Sequence, residues 1–180
     1  MAASETNDGS IWISIDSGTT WTVQPDTSGY NWRSIASSAD GKNLAAVYGT
    51  TDNGAMPSSL TYGASIWISH DSGATWTPIA DTTDRHWRSI ASSADGTKLV
   101  AGTDGGSLWS SIDSGATWNE GPNTLGHWES VTSSADGSRF FAGSSMLRSD
   151  GVIEPAGIGS GLLTSTDFGA TWTQVINDAR

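Results

Sequence analysis

Residues Ser14–Trp21 read SIDSGTTW, and the pattern behind them, Ser-x-Asp-x-Gly-x-Thr-Trp, occurs four times in this chain of 180 residues. The other copies are Ser69–Trp76 (SHDSGATW), Ser111–Trp118 (SIDSGATW) and Ser165–Trp172 (STDFGATW). Their aspartates are 55, 42 and 54 residues apart. A repeat of this length is typical of a solenoid, a propeller or an array of small units, and it outranks any local pattern in predicting the fold. We call these four segments the SxDxGxTW turns.

A second pattern alternates with the first, at Trp32–Gly41 (WRSIASSADG), Trp87–Gly96 (WRSIASSADG) and Trp128–Gly137 (WESVTSSADG). We call the Ala-Asp-Gly ends of these segments the ADG turns. The two patterns recur at nearly the same intervals along the chain, so the insertions that lengthen a unit fall at one position within that unit. Alignment of the units puts these insertions at residues 50–64 and 145–160.

Each full unit is predicted to contain four short β-strands. In the second unit they are Trp32–Ser38, Leu44–Tyr48, Ser65–Ser69 and Thr75–Ile79. Asp-Gly and Asp-Ser-Gly between such runs favour hairpins, because Gly adopts a positive φ without steric cost. Four-stranded meanders that repeat radially form a β-propeller. We therefore expect an all-β propeller of about four blades, each a four-stranded antiparallel meander, with the first blade lacking its inner strand. The expected units of this single domain, 1–180, are about 1–30 (partial), 31–85, 86–126 and 127–180.

The SxDxGxTW turns resemble the Asp-box, or bacterial neuraminidase repeat. That repeat occurs on propellers of six or more blades in sialidases, sortilin-type receptors, xyloglucan-cleaving glycosidases and a photosystem II assembly factor. The resemblance covers all four units, and it implies a propeller with each box on the hairpin between the third and fourth strands of a blade. It implies no activity, because the box lies far from the active sites of those enzymes and one fold hosts many functions.

The spacing shared by the four turns indicates a structural role for their residues. The Asp carboxylate can accept hydrogen bonds from backbone N–H groups of the turn, the Gly supplies a positive φ, and the Trp can fold over the turn as an apolar lid. The residues assigned this structural role are Asp16, Gly18, Trp21, Asp71, Gly73, Trp76, Asp113, Gly115, Trp118, Asp167, Gly169 and Trp172. We expect no metal at these aspartates and no cofactor in the protein.

Charge and composition exclude some classes of partner. The chain has 19 Asp and Glu against 8 Lys and Arg, and its net charge is −11. Such a surface repels nucleic-acid phosphates, so no nucleic-acid partner is expected. The absence of cysteine removes disulfides, thiolate metal sites and a cysteine nucleophile. No apolar run approaches the length of a membrane span, so no membrane insertion is expected. The location stays unknown, with a secreted or extracellular protein favoured.

The candidate ligand-binding residues begin the first strand of each full unit. They are Tyr30, Asn31, Trp32, Arg33, His86, Trp87, Arg88, His127, Trp128 and Glu129. An aromatic ring beside Arg, His, Asn and Glu can hold a sugar, since the ring stacks on C–H groups and the planar polar groups bind hydroxyls or a carboxylate. The structural alternative is an inter-blade cation–π contact between Trp and Arg. A third interpretation, a metal held by Asn31, His86 and His127, lacks a carboxylate ligand.

Three functions follow from these observations. The first is a non-catalytic, lectin-like module that binds a glycan or glycoconjugate, with the Trp87–Arg88 site best for acidic sugars and the Glu129 site poor for them. The second is a glycoside hydrolase-like (sialidase-type) enzyme or a fragment of one, with Glu129 and Glu154 as candidate carboxyl groups. No motif fixes catalytic residues, so an enzyme is the less favoured function. The third is a structural or assembly protein that self-associates through its incomplete first blade.

Overall fold

The computed structural model describes residues 2–3, 9–49, 64–83, 85–144 and 161–176. These residues form fifteen β-strands and one 3-10 helix, Ala80–Thr82. Nearly all of the two insertions predicted from the repeat, 50–64 and 145–160, and the candidate Glu154 fall outside the described residues. Within the described ranges, no helix is long and apolar enough to cross a bilayer.

The strands form four antiparallel meanders in chain order. The first meander has three strands: β1 (Ala2–Ala3), β2 (Ile11–Ile13) and β3 (Thr22–Val23). The second consists of β4 (Trp32–Ser37), β5 (Leu44–Tyr48), β6 (Ile66–Ser69) and β7 (Thr77–Pro78). The third consists of β8 (Trp87–Ser92), β9 (Leu99–Gly106), β10 (Leu108–Ser111) and β11 (Asn119–Glu120). The fourth consists of β12 (Gly126–Ser133), β13 (Phe140–Ser144), β14 (Gly161–Ser165) and β15 (Thr173–Ile176).

The third and fourth meanders are joined into one eight-stranded sheet. Only Ser107 separates β9 from β10, and β9 runs on as far as Gly106. Its extension pairs with the start of β12, where Gly126 faces Gly106 and His127 faces Asp104. The short connection of this unit therefore produces a link between blades that the repeat pattern did not predict.

Consecutive meanders pack face to face through a repeated hydrophobic layer. Because side chains alternate along a strand, Ile66 and Ile68 of β6 point to the following meander while Trp67 points to the preceding one. Ile66 and Ile68 share a cluster with Trp87 and Ala101 of the third meander. The corresponding clusters join Ile11 to Trp32 and Trp67, and Leu108 to Trp128 and Leu163. Each fully buried side chain of this size contributes about 1.5–3 kcal/mol.

The first strands of consecutive full meanders, β4, β8 and β12, are joined by hydrogen bonds that repeat in the same way. Ile90 N–H donates to Ser34 Oγ at 3.2 Å, and Val131 N–H donates to Ser89 Oγ at 3.1 Å. At the ADG turns, Ala39 N–H donates to the Ala94 carbonyl, and Ala94 N–H to the Ala135 carbonyl, both at 2.7 Å. These bonds fix how far each meander is rotated from its neighbour.

The architecture confirms the predicted fold class, an all-β propeller of four meanders whose first meander has three strands. The fourth strand of the second meander is shorter than the predicted Thr75–Ile79. Thr75 N–H donates to Asp71 Oδ1 at 2.9 Å, so this residue belongs to the turn and the strand begins at Thr77.

Candidate functional site

The strand ends define two rims of the array. The ADG and SxDxGxTW turns lie together on one rim, because Ser72 N–H donates to the Lys42 carbonyl at 3.0 Å and Ser114 N–H to the Thr97 carbonyl at 2.9 Å. We call it the turn rim. The opposite rim carries the starts of β4, β8 and β12, and we call it the loop rim. All ten candidate ligand-binding residues belong to the loop rim or to the strands that leave it.

Each SxDxGxTW turn uses its carboxylate to hold the turn. In the second turn, Asp71 Oδ1 accepts from Thr75 N–H at 2.9 Å and from Ser69 Oγ at 2.8 Å, and Asp71 Oδ2 accepts from Thr75 Oγ1 at 2.6 Å. Gly73, at φ 91°, donates its N–H to Ser69 Oγ. The Thr75 hydroxyl, then the Thr75 N–H and the Ser69 hydroxyl, lower the pKa of Asp71 to about 2. These oxygens are therefore occupied within the turn.

The other three turns repeat this arrangement. The equivalent bonds join Thr20 to Asp16, Thr117 to Asp113 and Thr171 to Asp167. The glycines Gly18, Gly115 and Gly169 have φ values of 88°, 87° and 88°. Three of the tryptophans, Trp21, Trp118 and Trp172, donate Nε1–H to the carbonyl of the glycine of the same turn at 3.1 Å.

The first tryptophan of each full unit lies in the core. Trp32, Trp87 and Trp128 are 0%, 1% and 0% exposed. Their indole N–H groups donate to the carbonyls of Thr27, Thr82 and Thr124 at 2.8, 2.8 and 2.7 Å. A ring covered on both faces cannot stack on a sugar, so the structure places these three rings in the packing between blades and not on a ligand surface.

Further candidates near the second meander are also packed against the core. Tyr30 contacts the rings of Trp32, Tyr48 and Trp67, with centroids 5.5, 4.9 and 5.0 Å apart. Asn31 is buried, and Arg33 is partly buried. A cation–π contact occurs at other residues, since the guanidinium of Arg85, just before β8, lies 4.2 Å from the centroid of the Trp109 ring in β10.

Two pairs of polar side chains lie on β8, β9 and β12 at the loop rim. Arg88 Nε lies 3.4 Å from Glu129 Oε2, and this ion pair joins the third and fourth meanders. His127 Nδ1 is hydrogen-bonded to Asp104 Oδ1. An ionised carboxylate only accepts, so Nδ1 carries the proton and Nε2 is left for another contact. We call Asp104, His127, Arg88 and Glu129 the polar cluster.

Arg88 and Glu129, which the sequence assigned to two separate sites, are therefore in contact. His86 lies beside the polar cluster, exposed, with its backbone carbonyl accepting from Asp104 N–H at 2.7 Å. Asp104 was missed at the sequence level. Its only signal was an acidic residue in the Thr-Asp-Gly-Gly segment that replaces the long insertion of the other units. Among the described residues, no three His, Cys, Asp or Glu side chains are grouped to hold a metal ion.

Comparison with solved structures places the chain among β-propellers. The chain is similar to a GH74 xyloglucanase from Xanthomonas campestris, with a TM-score of 0.65 and 20% identity, over 99% of this chain and 29% of that chain. It is similar to YCF48 bound to D1 peptide, with a TM-score of 0.56 and 15% identity, over 83% of this chain and 42% of that one. A chain of a nidogen/laminin complex gives a TM-score of 0.63 at 11% identity, over 98% and 61%.

At these identities the similarity shows the fold alone. The chain spans less than two thirds of the length of each of these proteins. No protein-family model and no curated protein matches the sequence.

Proposed function

We propose that the chain is a non-catalytic, carbohydrate-binding propeller module whose ligand surface is the polar cluster on the loop rim. The observation that carries the proposal is the pair of fixed contacts, Arg88–Glu129 and Asp104–His127, on neighbouring strands. Together they present a guanidinium, two carboxylates and an imidazole. Sugar hydroxyls both donate and accept, and planar groups of this kind bind them in pairs.

The surroundings support a binding surface. The cluster stands on strands, which hold a site more precisely than loops do. One of the similar structures is named as a xyloglucanase, which acts on a carbohydrate. The four SxDxGxTW turns also resemble the Asp-box, a repeat found in carbohydrate-active propellers. We propose that the chain is a member of that group, and that it works outside the cell.

The charges of the cluster favour neutral sugars. Glu129 occupies one side of the Arg88 guanidinium, so an acidic sugar would have to displace a carboxylate that is already paired. The sequence predicted that the site at Arg88 prefers acidic sugars. We propose instead that it prefers neutral sugars, because Arg88 is already paired with Glu129. Glu129→Gln should remove the competing charge and raise the affinity for acidic oligosaccharides.

A glycan array followed by calorimetric titration tests the proposal. Wild type is expected to bind a neutral oligosaccharide, Arg88→Ala to bind it at least several-fold more weakly, and Glu129→Gln to gain affinity for an acidic one. Arg139→Ala is the matched control, because Arg139 is an exposed arginine on the turn rim. Binding to no glycan, or equal loss in Arg88→Ala and Arg139→Ala, would contradict the proposal.

A second candidate function is glycoside hydrolysis. Its support is the presence of two carboxyl groups, Asp104 and Glu129, in one cluster, because hydrolysis of a glycosidic bond uses two carboxyl groups. A panel of chromogenic glycosides separates it from simple binding. Turnover that is lost in both Asp104→Asn and Glu129→Gln would favour the enzyme, and no turnover alongside glycan binding would favour the binding module.

A further inference from the structure

We infer that the two outer faces of the array bind each other between copies of this chain, so that two copies close one ring. The first face, on the first meander, contains Trp12 and Trp21, and we call it the tryptophan face. The second, on the fourth meander, contains Ser130, Phe141 and Leu162, and we call it the aliphatic face. This inference does not depend on the proposed carbohydrate site, which lies on the loop rim.

The same interface already occurs three times within the chain. In each interface, an isoleucine or a leucine of one meander packs against a tryptophan of the next. Ile11 packs with Trp67, Ile66 with Trp87, and Leu108 with Trp128 and Leu163. The pattern is directional, since Ile11, Ile66 and Leu108 of β2, β6 and β10 face forwards along the chain, whereas the tryptophans that they contact face backwards from the next meander.

The tryptophan face is the backward surface of the first meander. Trp12 occupies the position of Trp67 in the repeat, and Trp12 is 41% exposed while Trp67 is 6% exposed. Trp21 is also 41% exposed, whereas its counterparts Trp76 and Trp118 are partly buried in the layers between meanders. Exposed apolar surface that is contiguous often marks a site of interaction with another protein.

The aliphatic face is the forward surface of the fourth meander. Leu162 stands where Ile11, Ile66 and Leu108 stand in the other meanders, and those three are 0% exposed while Leu162 is only partly buried. Phe141 is partly buried as well, and its counterpart Val100 is fully buried. Ser130 corresponds to Ser34 and Ser89, which accept hydrogen bonds from the next meander, and Ser130 is exposed.

The two faces are therefore the two halves of the interface that the chain repeats internally. A contact between unlike faces is head-to-tail, and it forms a ring if the rotation closes. Propellers have about four to eight blades, so two copies of four meanders stay within the observed range and three copies exceed it. We therefore expect a dimer. Because each copy carries a net charge of −11, salt should strengthen the association by screening repulsion.

Sedimentation of the full chain and of blocked variants tests the inference. Wild type is expected to be a dimer that dissociates on dilution, with a thermal midpoint that rises with protein concentration. Leu162→Glu blocks the aliphatic face and Trp12→Glu blocks the tryptophan face, so each variant alone should be a monomer. Ser130→Glu is a second block of the aliphatic face at an exposed position, where the fold is not at risk.

A mixing experiment separates loss of the interface from loss of the fold. An equimolar mixture of Leu162→Glu and Trp12→Glu retains one intact face on each partner and should form a dimer. Leu125→Glu is the matched control, because Leu125 is 66% exposed and lies on neither face, and it should remain a dimer. A wild type that is monomeric at every concentration, blocked variants that remain dimers, folded variants that do not associate when mixed, or a monomeric Leu125→Glu would each overturn the inference.

Discussion

Asp104 and His127 are paired twice, once as register partners of β9 and β12 and once through the hydrogen bond between their side chains. The backbone pairing extends the third meander into the fourth, and the side-chain bond closes the same joint at the loop rim. This joint is the point at which the chain departs from a regular propeller. It exists because the middle unit has only a short connection between its second and third strands.

We expect Asp104→Ala to destabilise the protein by roughly 1–3 kcal/mol, because it leaves the partly buried His127 Nδ1–H without its acceptor. Denaturant unfolding measures the loss. Asp81→Ala is the control, since Asp81 is an exposed aspartate in the 3-10 helix Ala80–Thr82. Equal stabilities of the two variants would show that the Asp104–His127 bond does not hold the joint.

Trp87→Ala should destabilise the fold by about 3–5 kcal/mol, the usual cost of truncating a buried tryptophan. Trp87 is 1% exposed and shares a cluster with Ile66 and Ile90. Urea unfolding gives the magnitude, and Trp21→Ala, at a 41% exposed position, should cost clearly less. If Trp87→Ala were as stable as wild type and lost only its glycan affinity, Trp87 would belong to the ligand surface and not to the core.

The sequence predicted the strands well because their signals are local. The Asp, Gly and Thr of each turn interact within five residues, so the pattern alone contains the contacts that make the hairpins. It left two roles open for Trp32, Trp87 and Trp128, ligand contact or packing between blades. Whether a tryptophan at the start of a strand is buried depends on the preceding loop. A carbonyl of that loop, at Thr27, Thr82 or Thr124, accepts a hydrogen bond from the indole N–H.

The polar cluster was predicted only in part for a similar reason. His127 and Glu129 stood out as departures from the repeat, but their partners lie in another unit. Asp104 becomes a partner of His127 only when β9 extends across to β12, and Arg88 meets Glu129 only when two blades are packed. Contacts of this kind depend on the rotation between meanders, which no single repeat encodes.

Asp113→Ala is expected to lower stability by roughly 1–3 kcal/mol, because the Thr117 N–H and hydroxyl lose their acceptor. Ligand binding should be unchanged, since Asp113 lies on the turn rim. Thermal unfolding and calorimetric titration of the same sample test both statements. A variant that is as stable as wild type but does not bind would assign Asp113 to the ligand site.

Acid should destabilise the protein between about pH 4 and pH 2. The Thr20 hydroxyl and N–H lower the pKa of Asp16 to about 2, and the hydroxyl of Ser134 and the N–H of Ser138 do the same for Asp136. A carboxyl with a lowered folded-state pKa stabilises the fold above its unfolded pKa, and this stabilisation is lost as the pH falls through the folded value. Thermal midpoints measured across this range should fall, with little dependence on salt because the causes are hydrogen bonds. A flat profile would contradict the role of these carboxylates.

Phe168 is the one bulky residue at a position where the other SxDxGxTW turns have serine. Its φ is 59°, against 60°, 61° and 61° for Ser17, Ser72 and Ser114. The left-handed region costs an ordinary residue about 1–2 kcal/mol, and asparagine is among the few that adopt it readily. We expect Phe168→Asn to be more stable than Phe168→Ala by about 0.5–1 kcal/mol. Both variants lose the ring over which Lys98 Nζ lies at 5.7 Å, so their difference isolates the backbone. Denaturant unfolding of the two variants makes the comparison, and equal stabilities would show that this position carries no strain.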